Sequence, residues 1–301
     1  MCLCVKFIMF SIIITAYREP HTIGPAIAAF LPQMPPDAEL IVVCPDAQTT
    51  AVIHHYAQQD PRVKHYADPQ QGKPTALNVG LQAAHNEIVI LSDGDVVVGE
   101  NAVAALLAHF QDNTVGAVTG RPVSISPRHT RPGYWSHLLV WGAHQERLRR
   151  DQAGQFLLCS GYLFAFRKSL IAVIPPDALA EDAVISHQIA AQGRQIRYTP
   201  EAEVLVKYPT TYADWLRQKV RSAGGYAQDY VRNSPFRMRS AWLEAVHGTL
   251  PALRFADNGR ERWWTLLLFA ARLHLWWLVF WNVRVRKRPL NQLWQRVETT
   301  K

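Results

Sequence analysis

Cysteine is scarce in this chain: four residues in 301, placed as Cys2-x-Cys4 and two isolated thiols, Cys44 and Cys159. Neither the number nor the spacing builds a disulfide framework or a four-ligand zinc site, so the thiols are expected to stay reduced and the fold to rest on its apolar core. Two glycine signatures are missing as well. No GxGxxG follows the first apolar run, which argues against a dinucleotide-binding Rossmann domain, and no GxxxxGK[ST] occurs, which removes a P-loop nucleotidase. No small-residue cleavage site follows the N-terminal apolar stretch, so Phe7 to Ala16 reads as a first core strand rather than a signal peptide. Acidic residues are the minority charge, 24 against 32 basic ones, for a net +8. With 49% hydrophobic and 19% charged residues, what is present is an ordinary globular composition, enough for one substantial domain and an appendage.

Strand and helix patterns alternate through the first 120 residues. Strands are predicted at Phe7 to Ala16, Glu39 to Val43, Val63 to Tyr66, Glu87 to Ser92 and Val115 to Thr119, with helices at Thr22 to Leu31, Thr49 to Asp60, Pro74 to Ala84 and Glu100 to Phe110. That order predicts an α/β fold with a mainly parallel sheet covered on both faces. Ligands of such sheets sit beyond the carboxyl ends of the strands. Three polar segments fall there: Thr15 to Glu19, including Tyr17; Pro45-Asp46; and Asp93-Gly94-Asp95.

Asp93 and Asp95, one glycine apart after a buried strand, form a DxD turn. Hard cations such as Mg²⁺ and Mn²⁺ bind through one or two carboxylates plus substrate phosphates, which makes the turn a candidate for a metal-diphosphate; a solvated turn after a strand is the competing reading. Upstream, Gly72-Lys73-Pro74 opens a helix with proline in its first turn and a lysine at its mouth. Unpaired N–H groups and the helix dipole attract phosphate there, although an ordinary loop-to-helix junction has the same sequence.

In combination these segments resemble the family 2 glycosyltransferases, inverting GT-A enzymes that use nucleotide sugars, over about residues 8 to 230. Ser11 to Glu19 resembles the family's opening strand and acidic turn, and Glu39 to Asp46 its second strand, ending in an Asp that contacts the base. Gly72-Lys73 with Ala76-Leu77-Asn78 is similar to its GK-ALN segment, and Asp93-Gly94-Asp95 to its DxD. Cys159 to Arg167 resembles its acceptor-side strand, Glu181-Asp182 its ED motif, and Gln218-Lys219-Val220-Arg221 the first part of QxxRW. The resemblance implies a donor site built from Thr15, Tyr17, Glu19, Asp46, Lys73, Asn78 and Asp93, a metal held by Asp95 with Asp93, and a catalytic set of Asp182, Glu181, Arg221 and Gln218. The Trp of QxxRW is replaced by Ser222, and the several transmembrane helices of the processive polymerases are missing, so transfer of one or a few sugars is expected.

The chemistry is consistent with those roles. A nucleoside diphosphate leaving an anomeric carbon accumulates charge that a metal, Lys73 and Arg221 would neutralise, and the attacking hydroxyl must give its proton to a base. Asp182 is the candidate base, at the start of a helix predicted from Glu181 to about Gln192; plain helix capping is the alternative for both carboxylates. Gln218 and Arg221 share a face of a helix within Tyr212 to Tyr230, a face that a solvated basic surface would also explain. Loops such as Arg121 to Trp135 are expected to choose the sugar.

The C-terminal part changes character. From Asn258 to Lys301 there are nine Lys or Arg against two Glu, and six of the ten Trp. Trp263 to Trp281 is nearly long enough to span a bilayer, but Arg272 and His274 lie mid-run, and spanning would export the basic run Arg284 to Arg288. An interfacial or re-entrant anchor over 263–288 is preferred to a single span or a helix buried in an oligomer; nucleic acid is not expected.

The sequence thus predicts a GT-A catalytic domain over 1–235, with a nucleotide-sugar half to about 120 and an acceptor half after it, followed by a membrane-associating region over 236–301. The expected activity is transfer from a UDP- or GDP-type sugar to a hydroxyl of a lipid or glycan, with Mg²⁺ or Mn²⁺, at the cytoplasmic face of the membrane. The alternatives are a sugar-phosphate nucleotidyltransferase and a non-catalytic binding protein on the same fold.

Overall fold

The computed structural model describes residues 8–226, 228–236, 238, 249–281 and 300. Cys2, Cys4 and the basic run 284–288 lie outside them. The elements are β1 (Phe10–Thr15), α1 (Ile23–Phe30), β2 (Glu39–Val43), α2 (Ala47–Gln59), β3 (Val63–Tyr66), α3 (Lys73–Ala83), β4 (Ile88–Asp93), β5 (Val96–Val98), α4 (Ala102–Leu107), β6 (Val115–Ser124), α5 (Arg131–Gln152), β7 (Leu163–Arg167), α6 (Glu181–Ala191), β8 (Gln195–Val206), α7 (Tyr212–Gly225), α8 (Asp229–Arg232) and α9 (Gly259–Phe280).

All eight strands join one sheet in the order β3-β2-β1-β4-β7-β6-β8-β5. β3, β2, β1 and β4 run parallel, as the alternating pattern requires. The sheet is mainly parallel, as expected, with four of its seven pairings parallel, and the antiparallel pairings are confined to β7 and β5. β7 is antiparallel to both β4 and β6, β5 is antiparallel to β8, and only β6 and β8 add another parallel pair. For β5 the physical reason is chain length between strands, whereas β6 and β7 are joined by a long connection containing α5, so the direction of β7 is a matter of which partners it finds. Parallel neighbours need a crossover of a dozen or more residues, and only Gly94-Asp95 separate β4 from β5, so β5 leaves its predecessor and pairs at the far edge.

The central strands are buried on both faces. Ile12 and Ile14 point into one core with Ile27, Ile53 and Leu106 from α1, α2 and α4, while Ile13 points into the other with Leu77 and Val184 from α3 and α6. A third, aromatic core joins Tyr134 and Trp135 of α5, Trp215 of α7 and Leu268 of α9.

Helix α3 sets the position of the candidate phosphate-binding lysine. Gly72 enters it with φ 98°, a left-handed conformation that favours glycine, and Pro74 occupies the first turn. One turn before its end, Gly80 lies against β1: a Cβ there would sit 2.6 Å from Ile13 Cγ2. Gly80→Val is therefore expected to lower stability by about 1–3 kcal/mol through overpacking. Thermal melts followed by circular dichroism check this, and an unchanged melting temperature would show that α3 is free to move off the sheet.

Candidate active site

The carboxyl ends of β1 and β4 lie side by side, with Thr15 in register with Asp93 and the Gly94 N–H donating to the Thr15 carbonyl at 3.1 Å. Gly94 has no space for a side chain, because a Cβ would run into Glu19 Oε2 and Ala16 Cβ. The buried Glu19 carboxylate is thus packed against the turn that carries Asp93 and Asp95.

Lys73 joins the separated motifs. Its ammonium is 2.7 Å from Asp93 Oδ1 and 2.6 Å from Glu181 Oε1, so the start of α3, the end of β4 and the start of α6 meet at one cation. Leu77, Gly161 and Phe164 line the small cleft beside it. Burial alone would push the Lys73 ammonium towards neutrality, but the charges of Asp93 and Glu181 more than offset it and hold the group protonated well above its ordinary value. Burial likewise opposes ionisation of Glu181, and the charge of Lys73, its hydrogen bond and then the more distant Arg221 keep that carboxyl below its ordinary value.

Asp182 follows on the first turn of α6, its Oδ1 accepting from the Ala183 N–H at 2.9 Å. Opposite it is Gly161, where a Cβ would lie in ordinary contact with Asp182, 3.5 Å from its Oδ2. On α7, Gln218, Arg221 and Gly225 share a face at i, i+3 and i+7. Gly225 closes on the residue before Glu181: a Cβ there would be 3.0 Å from the Ala180 nitrogen. Gln218 Oε1 is buried with no hydrogen-bond partner among the described residues. A buried acceptor without a donor is costly, and such groups call for an explanation.

The remaining predicted residues divide. Asp46 caps α2 and accepts from the Arg18 N–H at 2.6 Å and the Thr49 N–H at 3.0 Å. Burial disfavours its charge, but these bonds outweigh burial and lower its pKa. Arg18 adopts φ 53° and sets its guanidinium 5.2 Å from the ring centroid of Tyr17, which is partly exposed at the same strand ends. Asn78 faces elsewhere. Its Nδ2 donates to the Ile174 carbonyl at 2.8 Å and its Oδ1 accepts from the Ile174 N–H at 3.0 Å, so it ties α3 to the segment before α6 and stands outside the Lys73 cluster. The segment expected to be a loop, Arg121 to Trp135, is largely regular: Arg121 to Ser124 complete β6, and Trp135 is buried in α5.

Tyr162 and Tyr208 were not among the predicted site residues. Their rings meet edge to face at 6.1 Å, and the Tyr162 phenol is pushed up to about 12, first by burial and then by the charges of Asp95 and Asp93. The Tyr162 carbonyl accepts from Ser92 Oγ at 3.0 Å, which sets the residue beside the DxD turn. Its position directly after Gly161 was the available signal.

The model of the family described as "Glycosyl transferase family 2" matches residues 11–174, more than half the chain. The chain belongs to glycosyl transferase family 2. Over 231 residues it is 26% identical to a poly-beta-1,6-N-acetyl-D-glucosamine synthase of Staphylococcus epidermidis, a match covering 74% of this chain and 56% of that protein. The corresponding synthase of Staphylococcus aureus strain COL is 25% identical over 229 residues, covering 73% and 55%. The chain thus spans about half the length of the curated relatives it matches. Among solved structures, GalNAc-T7 with UDP, GalNAc and Mn2+ superposes with a TM-score of 0.54 at 16% identity, covering 82% of this chain and 58% of the other. S. aureus TarS 1–349 gives 0.51 at 15% identity, covering 85% and 77%. Both likenesses establish the GT-A fold of this family 2 member.

A divalent cation fits the charge at this site. Glu19, Asp93, Asp95, Glu181 and Asp182 outnumber Lys73 and Arg221, and an incoming diphosphate would deepen the negative excess. Among the described residues no cluster of three or more His, Cys, Asp or Glu side chains is gathered to hold a metal by protein ligands alone. The fit is therefore to an ion such as Mg²⁺ or Mn²⁺ that takes one or two carboxylates here and the rest of its oxygens from phosphate and water.

Lys73→Met should remove the cation shared by Asp93 and Glu181 and destabilise the fold by about 1–3 kcal/mol. Because the Glu181 pKa is lowered in the fold, this contribution is full above the ordinary carboxylate pKa of 4.5 and fades as pH falls through the lower folded value. Denaturant midpoints of both proteins across that range check the trend; a difference that grew on acidification would contradict it.

Proposed function

We propose that this chain is an inverting glycosyltransferase that moves a sugar from a UDP- or GDP-type donor to a hydroxyl of a lipid or glycan acceptor, with Mg²⁺ or Mn²⁺, at the cytoplasmic face of a membrane. The observation that carries the reading is the junction at Lys73, where residues from three motifs spread from position 73 to position 181 meet through ion pairs of 2.6 and 2.7 Å. A structural ion pair alone does not call for Arg221, Asp182 and an unsatisfied Gln218 around it as well.

In this mechanism Asp95, with Asp93, would hold the metal, which would supply Lewis-acid stabilisation to the donor diphosphate. Thr15, Tyr17, Glu19 and Asp46 surround the nucleoside end, with the exposed Tyr17 ring available to a base. Asp182 accepts the proton of the acceptor hydroxyl as its oxygen bonds to the anomeric carbon, and the bond from that carbon to the diphosphate oxygen breaks on the opposite face. Glu181, already engaged by Lys73, is left to position that ammonium. Lys73 and Arg221 offset the charge that grows on the departing nucleoside diphosphate. Gln218 Oε1 accepts from a substrate hydroxyl. The catalytic domain is residues 1–235, and with Ser222 in place of the QxxRW tryptophan the product carries one or a few added sugars rather than a long polymer.

Asp182→Asn separates this mechanism from donor binding. It should lower kcat of sugar transfer by about 100- to 10,000-fold, the usual contribution of a general base, while leaving the affinity for nucleoside diphosphate close to wild type. Steady-state transfer assays against a panel of nucleotide sugars, with parallel binding measurements, give both numbers. Full transfer activity in the variant would remove Asp182 from the chemistry.

A further inference from the structure

Among the described residues, α9 is the one helix long and apolar enough to cross a membrane, but it has two unlike faces. Glu261, Thr265, Leu268, Ala271 and Leu275 are buried and recur every three or four residues. That face is fastened to the catalytic domain. Arg128 donates to both Glu261 oxygens at 3.1 and 3.0 Å, the Tyr134 hydroxyl meets Thr265 Oγ1 at 2.7 Å, and Trp135 Nε1 donates to the Trp264 carbonyl at 2.7 Å. The opposite face carries Trp263, Leu266, Leu273, Trp277 and Phe280, exposed at 58, 48, 72, 55 and 58%. With exposed Ala270 they form one stripe at spacings of three and four residues, about 26 Å long at 1.5 Å per residue, with no polar member.

We infer that α9 lies in the plane of an anionic bilayer surface, this stripe sunk among the lipid headgroups, and that it does not cross the bilayer. Its fastened face decides the orientation. If α9 spanned the bilayer with these contacts kept, α5 and α7 beside it would enter the hydrocarbon too, bringing Glu146, Arg149, Asp214, Arg217 and Lys219, and each charge there costs about 2.5–3.5 kcal/mol on insertion scales. An in-plane helix keeps all of them in water. Tryptophan suits the interface because its ring is apolar and its N–H remains wet. The cations fit as well: Arg260 and Arg262 are exposed at one end, and the sequence after the other end reads Arg284, Arg286, Lys287, Arg288, which complements anionic headgroups. A second copy of the chain is a poorer occupant. A stripe about 26 Å by 10 Å offers roughly 260 Å², against about 800 Å² on each side of a stable interface.

The test uses the purified full chain and lipid vesicles, and needs no transfer activity. The chain should co-sediment with vesicles containing phosphatidylglycerol, bind those of phosphatidylcholine alone more weakly, and be stripped from the former by alkaline carbonate. Leu273→Ser with Trp277→Ser should weaken binding at least about tenfold, the loss expected from two large apolar side chains, without changing the melting temperature or nucleoside diphosphate binding. Resistance to carbonate would establish a span. Equal vesicle binding by the variant, or conversion of a dimer to a monomer, would give the stripe another role; either result overturns the inference and leaves the transferase reading untouched if nucleotide binding is intact.

Discussion

One ammonium group organises this protein. Lys73 lies between Asp93 and Glu181, and these three residues begin or end α3, β4 and α6. Two carboxylates this close would repel each other in a half-buried cleft without a cation, and the cation would be costly to desolvate without them. The remaining geometry serves this contact. Gly72 turns the chain so that α3 opens at the cleft, Gly80 lets α3 lie close on β1, and Gly225 lets α7 approach Ala180 just ahead of Glu181.

Helix α7 then links the site to the rest of the molecule. Its Gly225 lies against Ala180, just ahead of Glu181, and the charge of Arg221 acts on that carboxylate, while Trp215 enters the aromatic core with α5 and α9. Helix α7 thus contacts both the start of α6 and α9, the helix with the exposed apolar face.

The parallel half of the fold was legible because its signals are local and repeated: β2 was bounded by its apolar run and the short β3 by the turn-formers on either side of it, and α3 was marked by Gly72 and Pro74. The second half was not. α5 mixes Tyr134 and Trp135 with Glu146 and Arg149 and carries no clean apolar stripe, and β8 is an edge-proximal strand whose exposed positions blur its alternation. The reversal at β7 depends on which strand finds which partner, a non-local matter that periodicity does not encode. Within the site, the motif residues Lys73, Asp93, Glu181 and Arg221 were readable and do converge. Asn78 was not, because an amide serves a substrate or a backbone equally well in sequence, and here it serves Ile174. Tyr162 was missed because an aromatic after Gly161 looks like core, and its relation to Asp95 exists only once β7 pairs with β4.

The account stands on the Lys73 cluster being a metal-assisted diphosphate site. Calorimetric titration of UDP and GDP into the wild-type chain and Asp95→Asn, each with and without Mn²⁺, measures that directly. The account predicts that one nucleoside diphosphate binds the wild type, that binding requires the metal, and that Asp95→Asn abolishes it. Absence of binding by both nucleotides, or binding indifferent to Mn²⁺ and to Asp95, would contradict it.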